Sequence, residues 1–191
     1  MKKGSFLIYL LKFILSFCIL YYGTIAFIGI SSPGGYYVSF ADKYINYVAW
    51  LRAALLYCSQ FALQLLDFKI SLPDPYTIKI QNGNGVHIGY DCIGYGVLFF
   101  WIAFVFANAI PLVNKIKWMV GGVLLIWLIN VARICLLVVA VNQQWRSPFN
   151  FDNHTWFNIV AYMAIFTMIY FFDVAYKKHR TEDVNIKEEN N

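Results

Sequence analysis

Charge is what this chain has least of. Asp, Glu, Lys and Arg make up 13% of its 191 residues, while 60% are hydrophobic and 19% aromatic. A soluble domain carries about 25% charged residues to cover its surface. That deficit, a mean hydropathy of +0.57 and several long apolar runs identify an integral membrane protein. The net charge of +5 is no nucleic-acid signature, because the basic residues cluster at the ends of apolar runs. The bilayer is the expected partner, and no nucleic acid is. Cysteine is scarce too. None of Cys18, Cys58, Cys92 and Cys135 forms a C-x-x-C pair, which excludes a readable thioredoxin-like or quinone-coupled dithiol site. Cys18 and Cys135 lie inside apolar runs, so a paired disulfide framework is not expected. Histidines and cysteines are too far apart in sequence to suggest a metal site.

What is present begins with Lys2 and Lys3 ahead of an apolar run. No small-x-small cleavage site follows cleanly, so 13–30 reads as a retained first span. Ser31-Ser32-Pro33-Gly34-Gly35 should break it. Segment 40–66 is helical in pattern, with Asp42, Asn46, Ala49, Ala53, Gln60 and Gln64 on one face. Arg52 and Ser59 flank that face, and Leu51, Leu55, Ala62 and Leu66 lie roughly opposite. Such a stripe suits an amphipathic helix at the membrane surface or against the bundle; a full span with a polar seam is the competing reading. Leu72-Pro73-Asp74-Pro75 predicts a rigid, extended break. Two alternating runs follow, Tyr76 to Ile80 and Val86 to Tyr90, joined by Gln81-Asn82-Gly83-Asn84-Gly85. They predict a β-hairpin over 76–90. Three more spans are expected, at about 92–110, 118–141 and 156–172. A short basic loop, 111–117, separates the first two of these. The charged segment 181–191 lacks aromatics and reads as a disordered cytoplasmic tail.

Lys2, Lys3 and Lys12, then Lys115 and Lys117, then Lys177, Lys178 and Arg180 should all be cytoplasmic by the positive-inside rule. Four crossings, with 40–66 kept on the outer side, satisfy all three groups. The expected fold is therefore an all-α polytopic membrane protein of about four transmembrane helices. An outer amphipathic helix and a small extracytoplasmic hairpin complete it, in a single domain over 1–180.

Counting crossings brings Cys92, Arg133 and His154 to the same outer side. Cys92 opens one span, where the partial positive charge of a helix N-terminus favours thiolate over thiol. The bland alternative is a small apolar packing residue. Arg133 lies roughly 13 Å inside the next span at about 1.5 Å per residue. An arginine there costs on the order of 3 kcal/mol and is a functional candidate by default. A thiolate, a peptide carbonyl or a developing oxyanion would suit it; a salt bridge to Asp91 or Asp152, or simple snorkelling, is the bland account. His154 precedes the last span and can exchange protons near neutral pH. Beside a cysteine it could take the thiol proton and return it to a leaving amine. His87 in the hairpin is the competing histidine, and a solvated loop histidine is the bland reading. Asp152 or Asn153 is the candidate to orient the His154 ring.

The ordered set Tyr90-Asp91-Cys92-Ile93-Gly94, Asn130-Val131-Ala132-Arg133-Ile134 and Asn153-His154 resembles the exosortase/archaeosortase family of membrane-embedded cysteine transpeptidases. These stretches look like its Cys-x-Gly, Asn-x-x-Arg-[Ile/Leu] and loop-histidine signatures, and the likeness covers roughly 76–172. Having few spans, the chain is similar to the compact branch of that family. The resemblance implies a cysteine peptidase or transpeptidase of the inner (cytoplasmic) membrane, acting on its extracytoplasmic side without a cofactor. Its substrates would be secreted proteins ending in a short sorting motif, an apolar helix and a basic cluster. Cys92, Arg133 and His154 would be the catalytic residues. A non-enzymatic membrane assembly factor or small transporter is the alternative, and it predicts indifference to Cys92 but sensitivity to Arg52.

Overall fold

The computed structural model describes residues 3–34, 36–145 and 153–189. Six helices and one small sheet follow in the order α1 (Lys3–Ser31), α2 (Ser39–Ile45), α3 (Tyr47–Gln64), β1 (Ile70–Asp74), β2 (Thr77–Ile80), β3 (Gly85–His87), α4 (Tyr95–Ala107), α5 (Leu112–Asn142) and α6 (Asn153–Glu189). A single 3-10 turn, Tyr90–Cys92, joins the sheet to α4. This is an all-α polytopic membrane architecture. Stretches of α1, α5 and α6 are long and apolar enough to cross a bilayer: Phe6–Ser31, Leu112–Asn142 and Asn158–Tyr176. Helix α4 is apolar throughout but has only 13 residues, about 20 Å of rise. It packs against α1 and α5, and α6 packs against α5. The segment expected to be a basic loop is instead the start of α5: the chain turns at Pro111, and Lys115 and Lys117 fall in the first turns of the helix. Helix α6 continues to Glu189, past the point where a disordered tail was expected.

Two apolar cores stack along the bundle. One contains Trp101, Val105, Ile126, Met168 and Phe172 from α4, α5 and α6. Rings of Trp101, Phe104 and Trp118 meet Phe172 edge-on at centroid distances of 6.2, 5.2 and 5.1 Å, a geometry that aromatic quadrupoles favour. Trp101 is fully buried, and its indole N–H donates to the Trp118 carbonyl at 3.0 Å. It lies flat against Gly122, where any Cβ would fall inside the indole ring. Gly122→Ala is therefore expected to destabilise the bundle by about 1–3 kcal/mol, the ordinary cost of overpacking a filled core. A lowered thermal unfolding midpoint in detergent would report it, and an unchanged midpoint would show that the indole has room to move.

The second core joins α3, the sheet and the far end of α5: Val48, Leu55, Leu63, Ile78, Val86, Ile88, Ile134 and Val138. Its sheet has the order β1-β2-β3. Thr77 pairs with His87, Ile78 with Val86 and Lys79 with Gly85, all antiparallel, so the expected hairpin forms. Ile78, Val86 and Ile88 point inward, while His87 is exposed. The stretch read as a rigid break is a third strand, β1, with Ile70 opposite Ile80. Pro73 is tolerated because β1 is an edge strand whose register shifts between Ser71 and Asp74, and Pro75 lies in the turn that follows it. The Asp74 carboxylate caps the β1–β2 turn by accepting the Tyr76 N–H at 2.7 Å. That bond holds the carboxyl below its usual range. What it adds to the turn is present above the ordinary carboxylate pKa and is lost as pH falls through the lowered one.

Two amides fix the sheet to the bundle. The Asn142 side chain, at the end of α5, accepts the Asn84 N–H at 2.7 Å and donates to the Asn84 carbonyl at 3.1 Å. Gly83 leaves space for that approach, since a Cβ there would strike the Asn142 amide. Segment 40–66 is split rather than continuous. Asn46 ends α2 and caps α3, its side-chain oxygen accepting the Ala49 N–H at 3.0 Å. On α3 the buried face holds Val48, Arg52, Leu55, Leu56, Ser59 and Leu63, while Trp50, Tyr57 and Phe61 are exposed. The helix thus turns an aromatic stripe outward and two polar residues inward, the reverse of a simple polar-out surface helix. Aromatic residues outward suit the headgroup region of a bilayer.

Candidate active site

The site is built on the turn between β3 and α4. Backbone bonds from Cys92 N–H to the Gly89 carbonyl (3.1 Å) and from Ile93 N–H to the Tyr90 carbonyl (3.2 Å) tighten residues 89–93. Gly94 then takes φ +78° and starts α4, its carbonyl accepting from Val97 and Leu98, each at 3.1 Å. Only glycine reaches that conformation without strain, and a Cβ there would sit 3.1 Å from the Asn130 amide. Cys92 is therefore not in the first turn of α4, as expected, but three residues ahead of it. The sulfur is reached from another helix.

What faces it is α5. Asn130 and Arg133, three residues apart and so on one helix face, both reach the turn. The Asn130 amide donates to the Cys92 carbonyl at 3.2 Å and to the Ile93 carbonyl at 2.8 Å. Arg133 Nη2 donates to the Cys92 carbonyl at 3.0 Å, and the guanidinium also reaches the Cys92 side chain. Arg133 Nη1 donates to the Asn158 side-chain oxygen, which ties α6 to the same point. The partners of this intramembrane cation are thus a peptide carbonyl, an amide and the candidate sulfur. A peptide carbonyl and a thiolate were among the partners the sequence suggested; Asp152 lies outside the described residues.

Cys92 is 8% exposed and Asn130 likewise 8%. Beside them opens a cleft of about 330 Å³, whose polar end is lined by Asp91, Asn130, Arg133, Asn158 and Tyr162. Val97, Ile126, Ile129 and Ile165 make its apolar floor, and Tyr21 of α1 and Tyr90 lie at its edges. His154 belongs to the first turn of α6; its side chain lies outside the described residues. It stands four residues before Asn158, a spacing that places two residues on one helix face. His87, the competing histidine, stacks on Tyr76 at 5.7 Å on the exposed side of the hairpin. Among the described residues no group of three His, Cys, Asp or Glu side chains could hold a metal ion.

Asn158 and Tyr162 were not singled out in the sequence. The only signal for them was their spacing of four and eight residues after His154. Arg52 was singled out, but as a flank of a polar face. It is 4% exposed, with its guanidinium carbon 4.4 Å from the Tyr76 ring centroid and 4.7 Å from that of Tyr90. A desolvated cation over an aromatic face gains roughly 2 kcal/mol, so two such faces offset much of the burial.

The site end and the basic end of the bundle are opposite. Ser32, just beyond α1, hydrogen-bonds the Tyr90 hydroxyl at 2.8 Å. At the other end the Lys115 ammonium donates to the Phe106 carbonyl at 2.9 Å, and the Tyr176 hydroxyl to the Ala109 carbonyl at 3.2 Å. No curated protein and no solved structure matches the chain. The family model described as transmembrane exosortase matches residues 5–171, which takes in nearly all of α1, the sheet, the Cys92 turn, α5 and most of the membrane-crossing part of α6. The chain belongs to the transmembrane exosortase family.

Proposed function

We propose that this exosortase is a cysteine transpeptidase or protease that cuts C-terminal sorting signals from secreted proteins, with Cys92 as nucleophile. The observation that carries the reading is the convergence of Asn130 and Arg133 on the Cys92 turn at the polar end of a cleft with an apolar floor. Family membership supports a transpeptidase role in general terms; the residue roles and the substrate are our reading. The substrate would be a secreted protein ending in a motif, an apolar helix and a basic cluster. The enzyme would sit in the inner (cytoplasmic) membrane with the cleft on the extracytoplasmic side. The basic residues at the far end of the bundle, Lys115 and Lys117, support that orientation.

In this mechanism the Cys92 sulfur attacks the carbonyl carbon of the scissile peptide bond, and His154 takes the thiol proton. Arg133 stabilises the oxyanion that develops, in a site where water is largely excluded and such a contact is strongest. The C–N bond then breaks, the amine leaves with the proton from His154, and a thioester remains on Cys92. An acceptor amine or water attacks the thioester and gives a proton to His154; the C–S bond breaks, and the departing Cys92 thiolate takes that proton back from His154 to restore the thiol. Because Cys92 is nearly covered, the attack requires the 3-10 turn to yield slightly toward the cleft.

Mass spectrometry of the wild-type enzyme, co-expressed with substrate and quenched rapidly in acid, tests this directly. The expected result is a Cys92 peptide carrying the N-terminal part of the substrate as a thioester. An adduct on any other residue, or processing with no adduct at Cys92 on rapid quenching, would remove Cys92 from the role.

A further inference from the structure

We propose that Arg52 is a positioning residue for the Cys92 turn, acting through Tyr90; the inference rests on the transpeptidase reading. Arg52 comes from α3, which makes no part of the cleft. Its guanidinium lies between two rings, Tyr76 at 4.4 Å and Tyr90 at 4.7 Å. These tyrosines stand at the two open ends of the hairpin, where the Ile88 N–H donates to the Tyr76 carbonyl at 2.7 Å. The cation therefore closes the hairpin at the point where the chain leaves it for the 3-10 turn. Tyr90 is the first residue of that turn and lines the cleft; Cys92 is its last residue. The Tyr90 hydroxyl is bonded to Ser32, so the ring is gripped on its face by α3 and at its tip by the end of α1.

Burial and hydrogen bonding separate this from a ligand site. At 4% exposure, with two rings against its guanidinium, Arg52 offers little to a substrate. Among the described residues its Nε has no hydrogen-bond partner. A buried guanidinium is ordinarily held by a carboxylate. Here two π faces hold it, and a π face fixes a neighbouring ring without fixing a proton or a directional bond. Removing the cation should free Tyr90 and, through it, the turn that carries the sulfur, while the apolar neighbours Val48, Leu55 and Leu56 keep α3 in place.

The test is the rate at which a membrane-impermeant maleimide modifies Cys92 in the full chain in membranes, read by mass spectrometry at Cys92 and at Cys135. Cys135 lies on the α3–α5 contact, its sulfur 3.7 Å from the Ser59 carbonyl, and reports general loosening. Arg52→Leu is expected to speed Cys92 modification at least about fivefold, as a locally opened segment would, with Cys135 unchanged and substrate processing reduced. Arg52→Lys, which keeps a cation over the rings, is expected to recover much of the wild-type rate. Combining Arg52→Leu with Tyr90→Leu should add little to either change alone, because both break one contact. An unchanged Cys92 rate in Arg52→Leu overturns the proposal. So does an equal rise at Cys92 and Cys135, which would mean a purely structural role. If Cys92→Ala left processing intact, the functional reading would fail while the labelling result stood, so the two failures are distinguishable.

Discussion

Cys92→Ala is expected to abolish processing of a co-expressed substrate, a loss of roughly three orders of magnitude or more, as for other covalent nucleophiles removed from a working site. The fold should survive the change. The groups on which Asn130 and Arg133 converge are the backbone carbonyls of Cys92 and Ile93, and these remain in the alanine variant. The 3-10 turn is set by backbone bonds and by Gly94. Only the sulfur is lost, so the variant separates chemistry from architecture. Membrane insertion and the detergent unfolding midpoint serve as the controls, and the cleaved substrate is followed by mass. Processing at the wild-type rate would exclude the transpeptidase reading and favour an assembly or transport role. Sensitivity to Arg52, once a mark of that alternative, no longer discriminates: Arg52 contacts the ring two residues before Cys92, so both readings predict it.

The sequence carried the frame of this site further than its detail. Two alternating runs around an Asn/Gly-rich link are enough to specify a hairpin, because the period of two places Ile78, Val86 and Ile88 on one face. Counting crossings placed Cys92, Arg133 and His154 at one end of the bundle; Cys92 and Arg133 meet there, while the His154 side chain lies outside the described residues. Strand β1 was hidden because Pro73 and Pro75 look like breakers; the first is harmless at the sheet edge and the second falls in the turn beyond the strand. The split at Asn46 was hidden because a single capping amide leaves the helical period on both sides intact. Arg52 was misplaced by its charge. A cation is expected to face water, and nothing local shows that Tyr76 and Tyr90, distant in sequence, will enclose it. Asn158 was illegible for a related reason: an amide within an apolar helix declares its partner only when α5 is laid beside it.

Arg133 should be the next most sensitive position, and its substitutions should be graded. Arg133→Ala removes the cation beside the sulfur, one of the two donors to the Cys92 carbonyl, and the bond to Asn158 that couples α6 to the turn. Loss of one oxyanion donor in comparable sites costs about 10²–10³ in kcat, and the same range is expected here. Arg133→Lys keeps the charge. A lysine has one nitrogen where arginine has a planar fork, so it cannot hold the Cys92 carbonyl and Asn158 with the same geometry. A loss of roughly tenfold to a hundredfold is the expected result. Asn158→Ala leaves the arginine and removes one of its anchors, so it should fall between Arg133→Lys and wild type. Measuring kcat and KM for the three variants decides the point, because an oxyanion contact made only in the transition state lowers kcat and leaves KM nearly unchanged. If Arg133→Lys matched wild type, a generic positive charge would suffice and the bridging geometry would have no part in the chemistry. A rise in KM at constant kcat would move Arg133 from the reacting bond to the recognition of the substrate.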